Sequence, residues 1–133
     1  MRFTVCSFNQ YGDVGIHREP SDVIIPAYIM GKYNDDIVKQ IKKFHCDVIA
    51  KGAILIISYQ CHQDISFLKD VEKIKYIEQQ FIDNGLITIG TPERYTMPNS
   101  LMYDLVGHLN TKGADYRTNL FIEDIRKANI ITR

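Results

Sequence analysis

Residues 53–90 read AILIISYQCHQDISFLKDVEKIKYIEQQFIDNGLITIG. The opening segment, residues 53–59 (AILIISY), is an apolar run of the kind that suits a strand covered on both faces, as in parallel sheets. From about Phe67 a largely apolar stripe recurs at helical spacing through Val71, Ile74, Ile77 or Glu78, and Phe81. That periodicity predicts a helix reaching Asp83. Asn84-Gly85 then supplies a stop signal, and residues 86–90 (LITIG) read as a second short buried strand. A strand, an amphipathic helix and a strand in this order predict two parallel strands joined by a crossover.

The same alternation extends in both directions. Upstream, Asn34 precedes Asp35 and Asp36, a cap followed by two acids suited to a helix's first turn. Ile37, Ile41, Phe44 and Val48 predict its inner face, with Lys39, Lys42 and Lys43 pointing elsewhere, and Lys51-Gly52 predicts its end. Residues 2–8 (RFTVCSF) read as a strand, residues 9–22 as a loop, and residues 23–30 (VIIPAYIM), interrupted by Pro26, as an edge segment or irregular lining. Downstream, a last helix is expected from about Lys112 to Lys127, capped by Asn110 or Thr111. Its predicted inner face is Ala114, Thr118, Phe121, Ile122 and Ile125. The expected fold is α/β: one domain over residues 1–133, with a short parallel sheet flanked by helices. In such sheets ligands bind beyond the carboxyl ends of the strands, here the loops at about 9–18, 59–66 and 90–110.

Composition narrows the function classes. The chain has 133 residues, with 16 basic and 16 acidic side chains and a formal net charge of zero. No excess positive charge exists to displace counterions from phosphates, which argues against nucleic acid as a partner. With 45 % apolar residues the chain is too hydrophobic for a disordered segment. It holds no apolar run of about 18 residues, so no membrane span is expected. Its N-terminus, MRFTVCSFNQYGD, lacks the pattern of a secretory signal. Three cysteines, Cys6, Cys46 and Cys61, are an odd number without metal spacing and suggest reduced thiols in a cytoplasmic setting. The Cys/His neighbours His45-Cys46 and Cys61-His62 are read as a buried thiol beside an exposed imidazole rather than as metal ligands. No metal and no cofactor are expected.

The loop at 90–110 carries the most suggestive chemistry. Asp104 and His108 lie four residues apart just before a helix, and an Asp beside a His fixes the imidazole tautomer and stabilises its cation, as a general base requires. Around them the sequence shows Thr91-Pro92-Glu93-Arg94-Tyr95, Tyr103-Asp104, His108-Leu109-Asn110, Gly113 and Arg117-Thr118. This series closely resembles the C-terminal end of a bacterial, largely uncharacterised branch of the SGNH (GDSL-like) hydrolase family. Upstream, Asn9-Gln10-Tyr11-Gly12-Asp13 resembles an Asn-x-x-Gly-Asp loop of the same branch, and the strand ending Ile57-Ser58-Tyr59 fits its place.

The resemblance implies a three-layer, flavodoxin-like α/β sandwich and hydrolysis of acyl esters, often acetyl groups on carbohydrates. It makes His108 the catalytic base and Asp104 its orienting acid, with Asn9, Asp13, His17, Tyr95 and Tyr103 as lining candidates. Arg117 is expected to hold an acid such as Asp104 or Glu93, while Thr118 packs inward. The sequence departs from the family at its nucleophile. No Gly-Asp-Ser is present, since Gly12-Asp13 is followed by Val14, and no Gly-x-Ser-x-Gly elbow exists. Gly107 stands where the branch usually carries an aromatic residue. The chain thus resembles the C-terminal half of an SGNH domain, with its base and acid but not its serine. The expected partners are a second copy of the chain or a complementing N-terminal half, with a small acyl ester as substrate. The alternative is a non-catalytic interaction module.

Overall fold

The computed structural model describes Ile24, residues 27–31 and residues 33–130. The expected strand at 2–8, the loop at 9–22 and positions 23, 25 and 26 of the segment at 23–30 lie outside the described residues.

The first helix, α1, spans Asp35–Ala50. Asn34 caps it as its sequence position predicts: the side-chain oxygen accepts from the Asp36 amide at 2.9 Å. Asp35 and Asp36 sit in the first turn, beside the amides that helix geometry leaves unpaired. The chain leaves the helix through Gly52 at φ +76°, a left-handed turn that favours glycine. The buried face differs from the expected one. Val38 and His45 are buried, whereas Ile37 and Phe44 are 54 % and 57 % exposed. Ile41 and Val48 are half-buried, so the helix is turned by about one residue from the face that apolar spacing alone selects.

Strand β1, Ile57–Ser58, pairs in parallel with β3, Thr88–Ile89, in the register Ile57↔Thr88 and Ser58↔Ile89. Helix α2, Asp64–Asp83, crosses between them and ends at Asn84-Gly85, with Gly85 at φ +68°. The regular part of β1 is shorter than the apolar run predicts, and Ile54 is 54 % exposed. The helix starts three residues before Phe67 because a second parallel ladder delivers the chain directly into it. In that ladder β2, His62–Gln63, pairs with β4, Thr96–Met97. The described residues therefore form an α/β arrangement of three helices and two short two-stranded parallel sheets. None of these helices is long and apolar enough to cross a membrane.

The core lies where the chain after β3 folds onto the last helix, α3, Thr111–Ala128. Tyr95, Met97 and Met102 have no exposed surface and cluster with Tyr59, Cys61 and Leu120. Helix α3 meets this cluster through Gly113, Leu120 and Asp124. Ala114, Thr118 and Ile122, expected inside, are exposed. The rotation follows from contacts that apolar periodicity does not register. Arg117 reaches inward to donate to the Tyr59 carbonyl at 3.1 Å and stacks over the rings of Tyr95 and Phe121. Arg117 therefore holds neither Asp104 nor Glu93. Thr118 turns its hydroxyl back onto the Ala114 carbonyl at 2.8 Å.

Gly113 decides how closely α3 approaches the preceding loop. A Cβ at this position would stand 2.2 Å from the Leu101 carbonyl oxygen, which is backbone and cannot step aside. Glycine to alanine within a helix ordinarily stabilises by about 1 kcal/mol. Here the sign is expected to invert, with Gly113→Ala costing about 1–3 kcal/mol through overpacking. At Gly107 a Cβ would meet the mobile end of the Gln60 side chain, so Gly107→Ala is expected to stay within about 0.5 kcal/mol of the parent. Urea unfolding of the two variants checks the contrast.

Candidate functional site

After β4 the chain makes a 3-10 turn over Asn99–Leu101, then a short excursion whose ends are pinned together. Met102 and Leu109 form an antiparallel bridge. Within it the Tyr103 amide donates to the His108 carbonyl at 2.8 Å, and the His108 amide donates to the Leu105 carbonyl at 3.0 Å. Asp104 and His108 thus face each other across a closed loop rather than along a helix. The His108 Nδ1 to Asp104 Oδ1 distance is 2.7 Å. An ionised carboxylate only accepts hydrogen bonds, so this contact places a proton on Nδ1 and leaves Nε2 as the basic nitrogen of the neutral ring. The two side chains are 54 % and 45 % exposed. At that exposure the pair adds little to stability; its effect is to orient the ring.

Three attachments hold this loop. The Gln63 amide donates to the Val106 carbonyl at 2.9 Å, and the Cys61 thiol donates to the Gly107 carbonyl at 3.2 Å. The third is Asn110, which is 2 % exposed. Its Nδ2 donates to the carbonyls of Ser100 at 2.8 Å and Met102 at 3.1 Å. Its Oδ1 accepts from the Gly113 amide at 2.9 Å and so caps α3. The Asn of His-Leu-Asn is therefore both the helix cap and the clasp of the loop that carries the histidine. The sequence signals the first role through its position before a helix. The second depends on carbonyls eight and ten residues away and has no local signal.

The other expected site residues fall in different places. Asn9, Asp13 and His17 lie outside the described residues. Tyr103 is half-buried beside the pair and contributes its amide to the loop. Tyr95 is not a lining residue: it is wholly buried, and its hydroxyl donates to Asp124 Oδ2 at 2.6 Å. Arg94 adds ion pairs to Glu123 at 2.6 Å and Asp124 at 2.8 Å, and Glu93 pairs with Lys75. The Lys75 ammonium holds the Glu93 carboxyl below the usual carboxylate range. The Thr-Pro-Glu-x-Tyr turn is thereby tied to α2 and α3. Gly90, at φ +69°, makes this possible, because a Cβ there would stand 2.4 Å from Asp124 Oδ2.

No serine or cysteine among the described residues hydrogen-bonds His108. Ser66 is 1 % exposed and donates to Gln63 Oε1 at 2.7 Å. Cys61 is buried, and burial pushes its thiol pKa up, away from the reactive thiolate. Ser58 sits half-buried at the end of β1. On α1 the expected burial is reversed: His45 is buried and Cys46 exposed. No group of three His, Cys, Asp or Glu side chains among the described residues converges on a metal position.

A cavity of about 470 Å³ opens between α2 and the ends of β1 and β2. Phe67, Ile74, Ile77 and Phe81 of α2 form one wall, and Val106 of the His108 loop forms part of another. No family model, curated protein or solved structure matches the chain.

The differing environments of the imidazoles have a chemical consequence. His108 is open to solvent, whereas His45 and His62 carry buried, unpartnered ring nitrogens. Diethyl pyrocarbonate is therefore expected to acylate His108 before His45 and His62 in the folded protein, with peptide mass spectrometry giving the order. Equal rates at the three positions would contradict the geometry.

Proposed function

We propose that this chain contributes the acid–base half of an ester-hydrolysing site of the SGNH (GDSL-like) type. The observation that carries the reading is the 2.7 Å contact between His108 Nδ1 and Asp104 Oδ1 on a loop fixed at both ends. It is joined by the sequence pattern of residues 91–118, which resembles that family. A serine hydroxyl brought to Nε2 loses its proton to the neutral imidazole and attacks the ester carbonyl. The imidazolium that forms is stabilised by the Asp104 carboxylate. It returns the proton to the leaving alcohol as the tetrahedral intermediate collapses to an acyl-serine. Water, deprotonated by the same nitrogen, then releases the acid. The serine belongs to a Gly-Asp-Ser loop on a complementing half, and small acyl esters, including acetylated carbohydrates, are the substrate class.

A second reading, a non-catalytic module that binds a second copy or a partner, is favoured by a separate observation. Leu68 on α2 is 71 % exposed, and Ile65 and Tyr76 on the same helix are 56 % and 51 % exposed. Large apolar side chains gathered on one helix cost less when an interface covers them.

The two readings part at His108. The protein, isolated with any polypeptide that co-purifies with it, is assayed on p-nitrophenyl acetate. The hydrolase reading predicts turnover that falls at least about 100-fold in His108→Ala, the loss expected of a general base. Turnover that survives His108→Ala contradicts the assigned site. A stable oligomer without turnover, unchanged by that substitution, supports the second reading.

A further inference from the structure

Helix α1 carries more apolar surface than its own fold covers. Val38 and His45 are buried and seat the helix on the rest of the molecule, Ile41 and Val48 are half-buried, and Ile37 and Phe44 are more than half exposed. These last four follow the alternating four- and three-residue spacing of a coiled-coil seam, so their side chains form one stripe along the helix. Gln40, Asp47 and Lys51 run along its open side and are exposed. Large apolar side chains ranged along one exposed face mark a contact surface. Charge is divided between the two ends of the same helix. Asp35 and Asp36 occupy the first turn, whereas Lys51 stands at the C-cap, exposed and without an ion-pair partner among the described residues.

We propose that this stripe packs against the same stripe of a second copy of the chain, the two α1 helices running antiparallel about a two-fold axis that passes between Ile41 and Phe44. Self-complementarity selects this occupant. About that axis Ile37 lies level with the second copy's Val48, and Ile41 with its Phe44, so each apolar side chain meets an apolar one. Asp36, whose carboxylate also takes Lys39 of its own helix at 3.1 Å, comes within about 3 Å of the level of the second copy's Lys51 along the helix axis. The two macrodipoles oppose each other. A parallel pair would instead set acids beside acids and Lys51 beside Lys51. The interface is isologous, so every contact occurs twice. Two heptads make a small interface, and the dimer is reversible rather than permanent. The contact lies apart from His108 and from the exposed residues of α2, and it rests on neither reading of function.

Sedimentation velocity over about a hundredfold range of protein concentration, up to about 1 mM, provides the test. A monomer–dimer equilibrium is expected. Ile37→Lys and Phe44→Glu alter positions already exposed in the monomer, so the circular dichroism spectrum should not change. Each should weaken the dimer at least about tenfold, because symmetry places two charges in an apolar contact. Asp36→Lys and Lys51→Asp should each weaken it about three- to tenfold, and the double variant should return to within about twofold of the parent. That rescue distinguishes the antiparallel order, since in a parallel pair neither single change would remove an attraction. Leu68→Glu on α2 and His108→Ala should leave the dissociation constant unchanged, so this contact fails separately from either reading of function. A monomer at every concentration, a dimer unmoved by Phe44→Glu, a dimer broken by Leu68→Glu instead, or no rescue in the double variant would overturn the proposal.

Discussion

The side-chain amide of Asn110 joins three pieces of chain that would otherwise end in unpaired backbone groups. It donates to the carbonyls of Ser100 and Met102 and accepts from the Gly113 amide, all from a position with almost no exposed surface. Its own amide donates to the Leu101 carbonyl, and its carbonyl accepts from Ala114 as the helix begins. No other residue type offers two donors and an acceptor on a side chain this short: Asp in its acid form has one donor, and Gln carries the same amide one methylene further out. Gly113 completes the junction by letting the first turn of α3 touch the Leu101 carbonyl. With both ends of the loop fixed, the six residues between the Met102–Leu109 bridge partners close through their own backbone bonds. The relation of Asp104 to His108 is therefore set by main chain, and exposed side chains need no further support.

Helix α3 carries this junction at its N-terminus and a polar seam along its length. Arg117 reaches the Tyr59 carbonyl at the end of β1, and Asp124 receives the Tyr95 hydroxyl and the Arg94 guanidinium. A carboxylate as buried as Asp124 requires such partners, and removing one would leave an uncompensated charge. The seam explains why the helix buries a face that looks polar in the sequence. It also connects the loop with the strands, since Tyr59 belongs at once to the core and to the cavity wall.

Much of the framework was legible from local chemistry. The Asn34 cap, the stops at Gly52 and Gly85, the three helices and the parallel pairing of β1 with β3 follow from short-range signals. The ladder of β2 with β4 has none, because two residues per strand give no alternation to read. The faces of α1 and α3 were displaced for a related reason. Apolar periodicity selects Ile37, Phe44 and Ile122, whereas tertiary contacts bury His45, Gly113 and Asp124. At the site, the Asp104–His108 spacing was visible, and Asn110 was visible as a cap. The clasp to Ser100 and Met102 and the convergence of Ser58, Tyr59 and His62 with α2 exist only once distant segments meet.

Asn110, by fixing the loop, fixes the tautomer of His108. Long-range 1H–15N correlation spectra of the imidazole, recorded for the neutral ring in the parent and in Asn110→Ala, test it directly. A single tautomer with the proton on Nδ1 is expected in the parent and a mixture in the variant. A mixture in the parent, or the same single tautomer in both, would contradict it.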